Sequence, residues 1–135
     1  KDSVGANIRF LFKGCDDYLA ILDDEDSVRN ISVNMRKVSE LNSRGLIISA
    51  QGEVYDFVSR CFYPKSKIDE DPVTGSAHTL LIPYWAHNLK KNKLKAYQCS
   101  ERGGALNCEL RGARVLIGGY TARYLDGSIH LNSKD

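Results

Sequence analysis

The sequence predicts an α+β domain: a curved, mostly antiparallel sheet wrapped around a central helix. Two observations carry that reading. Short β-branched and aromatic runs, separated by Gly- and Asp-rich turns, occupy both ends of the chain. Between them, residues 76–89 carry the clearest 3.6-residue apolar periodicity in the chain. The length, 135 residues, suits one domain and is short for two, so residues 1–135 are read as a single unit. A chain of this size buries roughly 65–70% of its unfolded surface, enough for a genuine core.

Taken in order, ANIRFLF (6–12) and YLAIL (18–22) read as strands joined by the KGCDD turn (13–17). The acids of 23–26 then precede Val28, Ile31, Met35, Val38 and Leu41. That spacing fits short amphipathic helical turns, with the acids at the end the helix dipole favours. LIISA (46–50) and VYDFVSRCFY (54–63) read as strands, the second closed by Pro64, and a polar loop fills 65–72. In 76–89, Ala77, Leu80, Leu81, Tyr84 and Trp85 form a wide apolar stripe that Ile82 widens, so this helix is expected to be buried on most sides. Pro83 deletes one backbone hydrogen bond there, and a kink or local loosening is expected. Residues 94–100, 105–110 and 113–125 return to strand, with turns at Gly103-Gly104 and Arg111-Gly112. Asp126-Gly127 is expected to turn into a last short strand, 128–131.

Composition excludes several classes of function. Lys plus Arg is 19 against 17 Asp plus Glu, a formal charge of +2, which is no footprint for nucleic acid. The longest apolar run, LLIPYWA (80–86), is far below the roughly 20 residues of a membrane span. The opening KDSVGANIRF has no apolar signal core, so no secretory leader is expected. Cys15, Cys61, Cys99 and Cys108 are scattered, without a CxxC pair or zinc-finger histidines, and are read as reduced thiols of a cytoplasmic protein.

One stretch carries chemistry: Asp69-Glu70-Asp71-Pro72-Val73-Thr74-Gly75-Ser76-Ala77-His78. Pro72 fixes its own φ and biases Asp71 toward extended backbone. Gly75 permits close backbone approach and unusual dihedrals. Thr74 or Ser76 caps the helix in this reading, leaving the amides of Gly75, Ser76 and Ala77 to face a carboxylate or phosphate. Asp71 beside them would accept from an amine or hydroxyl of the same ligand. The plain alternative is that acids and a hydroxyl before a helix are ordinary stabilising features. His78 is read as a packed or capping residue in preference to a catalytic one. Arg60 is read as a structural partner of the motif loop, Tyr84 and Trp85 as core or interface, and Cys61, Cys99 and Cys108 as small hydrophobes.

IDEDPVTGSAHTLLIPYWAHNL (68–89) resembles the signature of the PhzF-like (phenazine-biosynthesis) isomerase family. DFVSRCFYP (56–64), QCSERGGALNCEL (98–110), KGCDDYLAILDDEDSVRNI (13–31) and RVLIGGYTARYLDGSIHL (114–131) resemble its second half. The resemblance implies one domain of a diaminopimelate-epimerase-like fold, with the active site in a cleft between two similar domains. It implies a cofactor-independent isomerase or epimerase that transfers a proton at carbon on a small carboxylate-bearing substrate, with no metal. Asp71 would be the catalytic acid of the cleft and would contact the substrate. Gly75 and Ser76, with Thr74 and Ala77, would hold the substrate carboxylate. The Gly-Ser at 75–76 puts no thiol in the place where related epimerases use cysteine.

The family's principal acid/base, a glutamate, belongs to the first domain, and no residue here matches it; Glu70 adjoins the motif without aligning to it. Three readings follow. The chain is the second half of an isomerase completed by a first domain, a half-length protein that self-associates as a homodimer to bind a small carboxylate, or a scaffold without chemistry.

Overall fold

In the computed structural model, which describes residues 5–131, strand β3 (Gly45–Gln51) shows the logic of the architecture. Its run of apolar residues is buried from Gly45 to Ala50, and burial on both faces requires cover on both faces. Two short helices, α1 (Glu25–Asn30) and α2 (Met35–Ser39), supply one cover. Val28 and Val38 pack there with Ala20, Leu46, Ile48, Val58 and Phe62. The long helix α3 (His78–Leu89) supplies the other, packing Leu81, Ile82 and Trp85 with Leu19, Ile21, Ile47, Phe57 and Cys61.

The remaining strands are β1 (Phe10–Lys13), β2 (Asp17–Ile21), β4 (Phe57–Phe62), β5 (Lys93–Gln98), β6 (Gly104–Arg111) and β7 (Arg114–Gly118). They form one seven-stranded sheet in chain order. Neighbours are antiparallel except β2–β3 and β4–β5. Parallel neighbours need a crossover, and the helices occupy those two connections. β4 and β5 run opposite to β2 and β3, so right-handed crossovers advancing the same way put their helices on opposite faces.

The sheet curves over α3. Tyr84 of α3 lies 5.4 Å from the Phe12 ring of β1, while the same helix also contacts β7 at the other edge. A flat sheet of this many strands would be about 29 Å wide, against a helix about 10–12 Å across. The sheet does not close, because β1 and β7 do not pair.

The predicted α+β class, mostly antiparallel sheet and central helix are all present. Several local expectations are corrected. The first strand covers Phe10–Lys13 instead of 6–12, and the fourth begins at Phe57 because the Gly52 amide bonds the Asp56 carbonyl across a turn. The last long strand stops at Gly118, and residues 128–131 form no strand. Extended sequence becomes sheet only where a neighbour offers a hydrogen-bonding edge, and none of the described residues reaches this segment. Its Ile129 and Leu131, like Tyr120, Tyr124 and Leu125 before it, are all more than 80% exposed. On α3 the buried face is rotated toward His78, Leu81, Ile82, Trp85 and Ala86, leaving Leu80 and Tyr84 at its margin. The helix runs unbroken through Pro83. Among the described residues no helix is long and apolar enough to cross a membrane.

Candidate functional site

The motif loop spans the gap between β4 and α3, and a single buried side chain organises it. Gln98, the last residue of β5, is fully buried. Its Oε1 accepts from the Thr74 amide at 2.8 Å, and its Nε2 donates to the Asp71 carbonyl at 2.6 Å and to Thr74 Oγ1 at 3.2 Å. Because Thr74 Oγ1 accepts from Gln98, its own proton is directed to Asp71 Oδ2, with which it is paired. The Asp71 amide donates to the Cys61 carbonyl at 2.9 Å. Asp71 is therefore held at backbone and side chain and presents a half-buried carboxyl at the loop surface.

A second support comes from the β5–β6 connection. Ser100 Oγ donates to the Pro72 carbonyl at 2.7 Å and accepts from the Gly103 amide at 3.0 Å. Gly104 must lack a side chain, since a Cβ there would sit 2.4 Å from Val73 Cγ2. On the outer side, Arg60 grips Glu70 through two bonds of 2.7 and 2.8 Å, and donates to the Arg29 and Ile31 carbonyls at the end of α1. Its predicted structural role is what the geometry displays.

Toward α3 the first amides go unanswered. The amides of Gly75, Ser76 and Ala77 have no hydrogen-bond acceptor among the described residues. The next amides, of His78 and Thr79, bond back to the Gly75 and Ser76 carbonyls. The expected hydroxyl cap is absent: Ala77 is the cap residue and makes no side-chain bond. Thr74 is occupied by Asp71 and Gln98, and Ser76 Oγ accepts from Arg44 at 3.1 Å. Those stronger partners, one of them a charged donor, outcompete the local cap. Gly75 and Ser76 are exposed, whereas Ala77 is fully buried, so only the Gly75 and Ser76 amides are open to a ligand. Gly75 does not have a positive φ, and a Cβ there would meet nothing within 4 Å. Neither packing nor backbone strain demands glycine at this position.

His78 is fully buried. Its Nδ1 lies 2.7 Å from the Thr74 carbonyl, which can only accept, so Nδ1 carries the proton. Nε2 is buried without a partner among the described residues. Burial pushes the imidazole pKa below its ordinary value, partly offset by the Thr74 bond. Cys61 and Cys108 are buried with thiol pKa values pushed up to about 12, and all four cysteines are unpaired. Trp85 donates to Ser49 Oγ at 2.9 Å and stacks on Phe57, as a core residue does. Among the described residues no cluster of His, Cys, Asp or Glu could hold a metal ion.

The motif borders a groove of about 420 Å³ lined by Glu70, Pro72, Ser100, Glu101 and Arg102. A smaller recess of about 90 Å³ lies between Ser76, Arg44, Asp17 and Thr79. A larger groove than these two, about 760 Å³ beside β7, takes no residue from the motif and is floored by Leu94, Cys108, Leu116 and Ile117. Its charged rim, Asp56, Lys91, Lys93, Lys95 and Glu109, lies on β5, β6 and the turns before β4 and β5, away from the motif. Sequence reasoning missed Gln98 and Arg44. The alternation in β5 did carry a signal for Gln98, which falls on the same face as Leu94 and Ala96.

Comparison with known proteins places this geometry. The phenazine biosynthesis-like (PhzC-PhzF) protein family matches residues 2–127. The chain is 46% identical over 116 residues to an uncharacterized isomerase of Pseudomonas aeruginosa, covering 86% of this chain and 45% of that protein. It is 40% identical over 113 residues to the human phenazine biosynthesis-like domain-containing protein, covering 76% and 39%. The crystal structure of a phenazine biosynthesis protein of the PhzF family from Enterococcus faecalis superposes with a TM-score of 0.84 at 44% identity, over 87% of this chain and 45% of that one. A putative PhzC/PhzF protein from Clostridium difficile gives 0.84 at 40%, over 94% and 49%. The chain thus spans about half the length of the curated relatives it matches, and by both sequence and fold it belongs to the phenazine biosynthesis-like protein family.

Proposed function

We propose that this chain is the substrate-binding half of a cofactor-independent isomerase that transfers a proton at carbon on a small carboxylate-bearing substrate. The observation that carries the reading is the open end of α3: the amides of Gly75 and Ser76 are exposed without an acceptor among the described residues, and neither packing nor backbone strain requires that glycine. Oriented amide donors at a helix start favour an anion. Asp71, held 2.9 Å from the Cys61 carbonyl through its amide, would contact the substrate as the acid of the site.

The proton-abstracting base comes from elsewhere in this proposal. Glu70 is committed to Arg60, and His78 is buried with Nδ1 already bonded. A base must come within about 3 Å of the proton it removes, and neither group is free to do so. The complementary half of the relatives' length is the proposed source, in a two-domain, diaminopimelate-epimerase-like arrangement. The exposed apolar residues of 120–131 and the exposed Phe10, Leu11 and Phe12 support a covering partner. Self-association as a homodimer is the competing form of that cover. Unpaired thiols fit a reducing compartment, the cytoplasm.

Hydrogen exchange with and without benzoate tests the binding step. Protection of the Gly75 and Ser76 amides by benzoate is the expected result; 3-hydroxybenzoate, whose hydroxyl can donate to Asp71, is expected to bind more tightly, an advantage lost in Asp71→Ala with the fold intact. An unchanged exchange pattern would refute the site. Deuterium incorporation at carbon only after adding a separately produced complementary half would assign the base to that half.

A further inference from the structure

We propose that Arg44 determines the ligand preference of the α3 end by occupying one lone pair of the Ser76 hydroxyl; this rests on the reading that a carboxylate binds at 75–76. Arg44 precedes β3, and its guanidinium is restrained from several sides. Nε donates to Asp17 Oδ1 at 3.0 Å and Nη2 to Asp17 Oδ2, while Nη2 also donates to Ser76 Oγ at 3.1 Å. Asp17, the first residue of β2, is 2% exposed. The guanidinium lies 5.1 Å over the Tyr63 ring, and the Arg44 amide bonds the Asp16 carbonyl. It is therefore a fixed donor and not a solvent-swept side chain.

The consequence follows from proton counting. A guanidinium only donates, so it takes one of the two lone pairs of Ser76 Oγ and leaves the hydroxyl one lone pair and one proton to give. No acceptor for it exists among the described residues. Beside it stand the exposed amides of Gly75 and Ser76, which can only donate. With donors outnumbering the single remaining lone pair, this end favours a group that only accepts, a carboxylate, over a carboxamide or ammonium that would bring its own N–H against those donors. Asp17 balances the charge of Arg44, so the preference comes from the occupied lone pair more than from net charge. Were Arg44 unable to reach Ser76, both lone pairs of the hydroxyl would be free to accept, and the distinction would weaken.

The test is a titration of benzoate and benzamide, followed by the amide resonances of Gly75 and Ser76, in four forms: the unchanged protein, Arg44→Lys, Ser76→Ala and the double variant. Lysine keeps a positive charge beside buried Asp17 but has no fork with which to hold Asp17 and Ser76 together. Arg44→Lys is expected to weaken benzoate about fivefold, as for one lost hydrogen bond, with little change for benzamide. In the Ser76→Ala background it should add nothing. Equal losses of benzoate in both backgrounds, or an unchanged benzoate-to-benzamide ratio, would overturn the role of Arg44. If the unchanged protein ignores benzoate, the carboxylate reading itself falls and takes this one with it. Should Arg44→Lys lose its dispersed spectrum, the neutral pair Asp17→Asn with Arg44→Gln leaves no uncompensated buried charge and is read by the same ratio.

Discussion

Asp71, Pro72 and Thr74 are bonded by the rest of the protein, whereas the exposed amides of Gly75 and Ser76 are left open. The first half of the loop is bonded by Gln98, Ser100, Cys61 and His78 through backbone and side chain alike. The second half, one residue further on, has exposed donors and a glycine with empty space where its side chain would be. Buried polar groups without partners are expensive, so the first half reads as scaffold. Exposed donors lose nothing to water and are available to a ligand. The difference separates what holds the site from what the site offers.

The largest expected effect breaks the pinned half. Gln98→Ala removes three hydrogen bonds and leaves the buried Thr74 amide unanswered, a loss of about 3 kcal/mol, read as a lower urea midpoint. It should also abolish benzoate protection at Gly75 and Ser76. A loss below about 1 kcal/mol would mean that the loop is not held as its hydrogen bonds indicate.

A second prediction uses pH. The folded imidazole of His78 has a pKa below its ordinary value of 6.5 because burial disfavours the cation. The unfolded chain therefore binds the proton more readily, so stability contributed by the neutral ring is complete above about pH 6.5 and declines as pH falls toward the folded pKa. Urea midpoints measured from pH 7 downward should drop through this window, with a shallower drop in His78→Gln. An identical slope in the variant would assign the effect to other groups.

The smallest stability effect sharpens the open half. Gly75→Ala meets no atom within 4 Å and needs no positive φ, so its stability should move by less than about 0.5 kcal/mol, and upward if at all. Benzoate affinity should nonetheless fall, because the methyl occupies the face from which the amides are reached. Unchanged affinity would remove the argument from the unexplained glycine.

Much of this was legible in the chain. The amphipathic run of 76–89 announced α3, the alternating and β-branched runs announced most strands, and the order Asp71, Pro72, Gly75 announced donors at a helix start. What escaped had partners far along the sequence. Thr74 and Ser76 were expected to cap α3, yet Gln98 and Arg44, each more than 20 residues distant, take those hydroxyls. The expected strand at 128–131 failed for the same kind of reason, since its residues are strand-like but no edge is offered to them. Two signals were available and unused. Gln98 and Asp17 are polar residues on strand faces otherwise filled by Leu94 and Ala96 or by Leu19 and Ile21.

The sequence by itself determined the element types and the family, because periodicity, proline and glycine act over three or four residues and motifs are read in order. It also determined that the loop before α3 would carry polar groups and a bare glycine. Only the tertiary structure decided which of those groups remain free. The two parallel crossovers bring Arg44 and Asp17 from one side and Gln98 from the other, and a hydrogen bond forms or fails over a few tenths of an ångström. Local chemistry wrote the donors; long-range packing chose which ones a ligand can use.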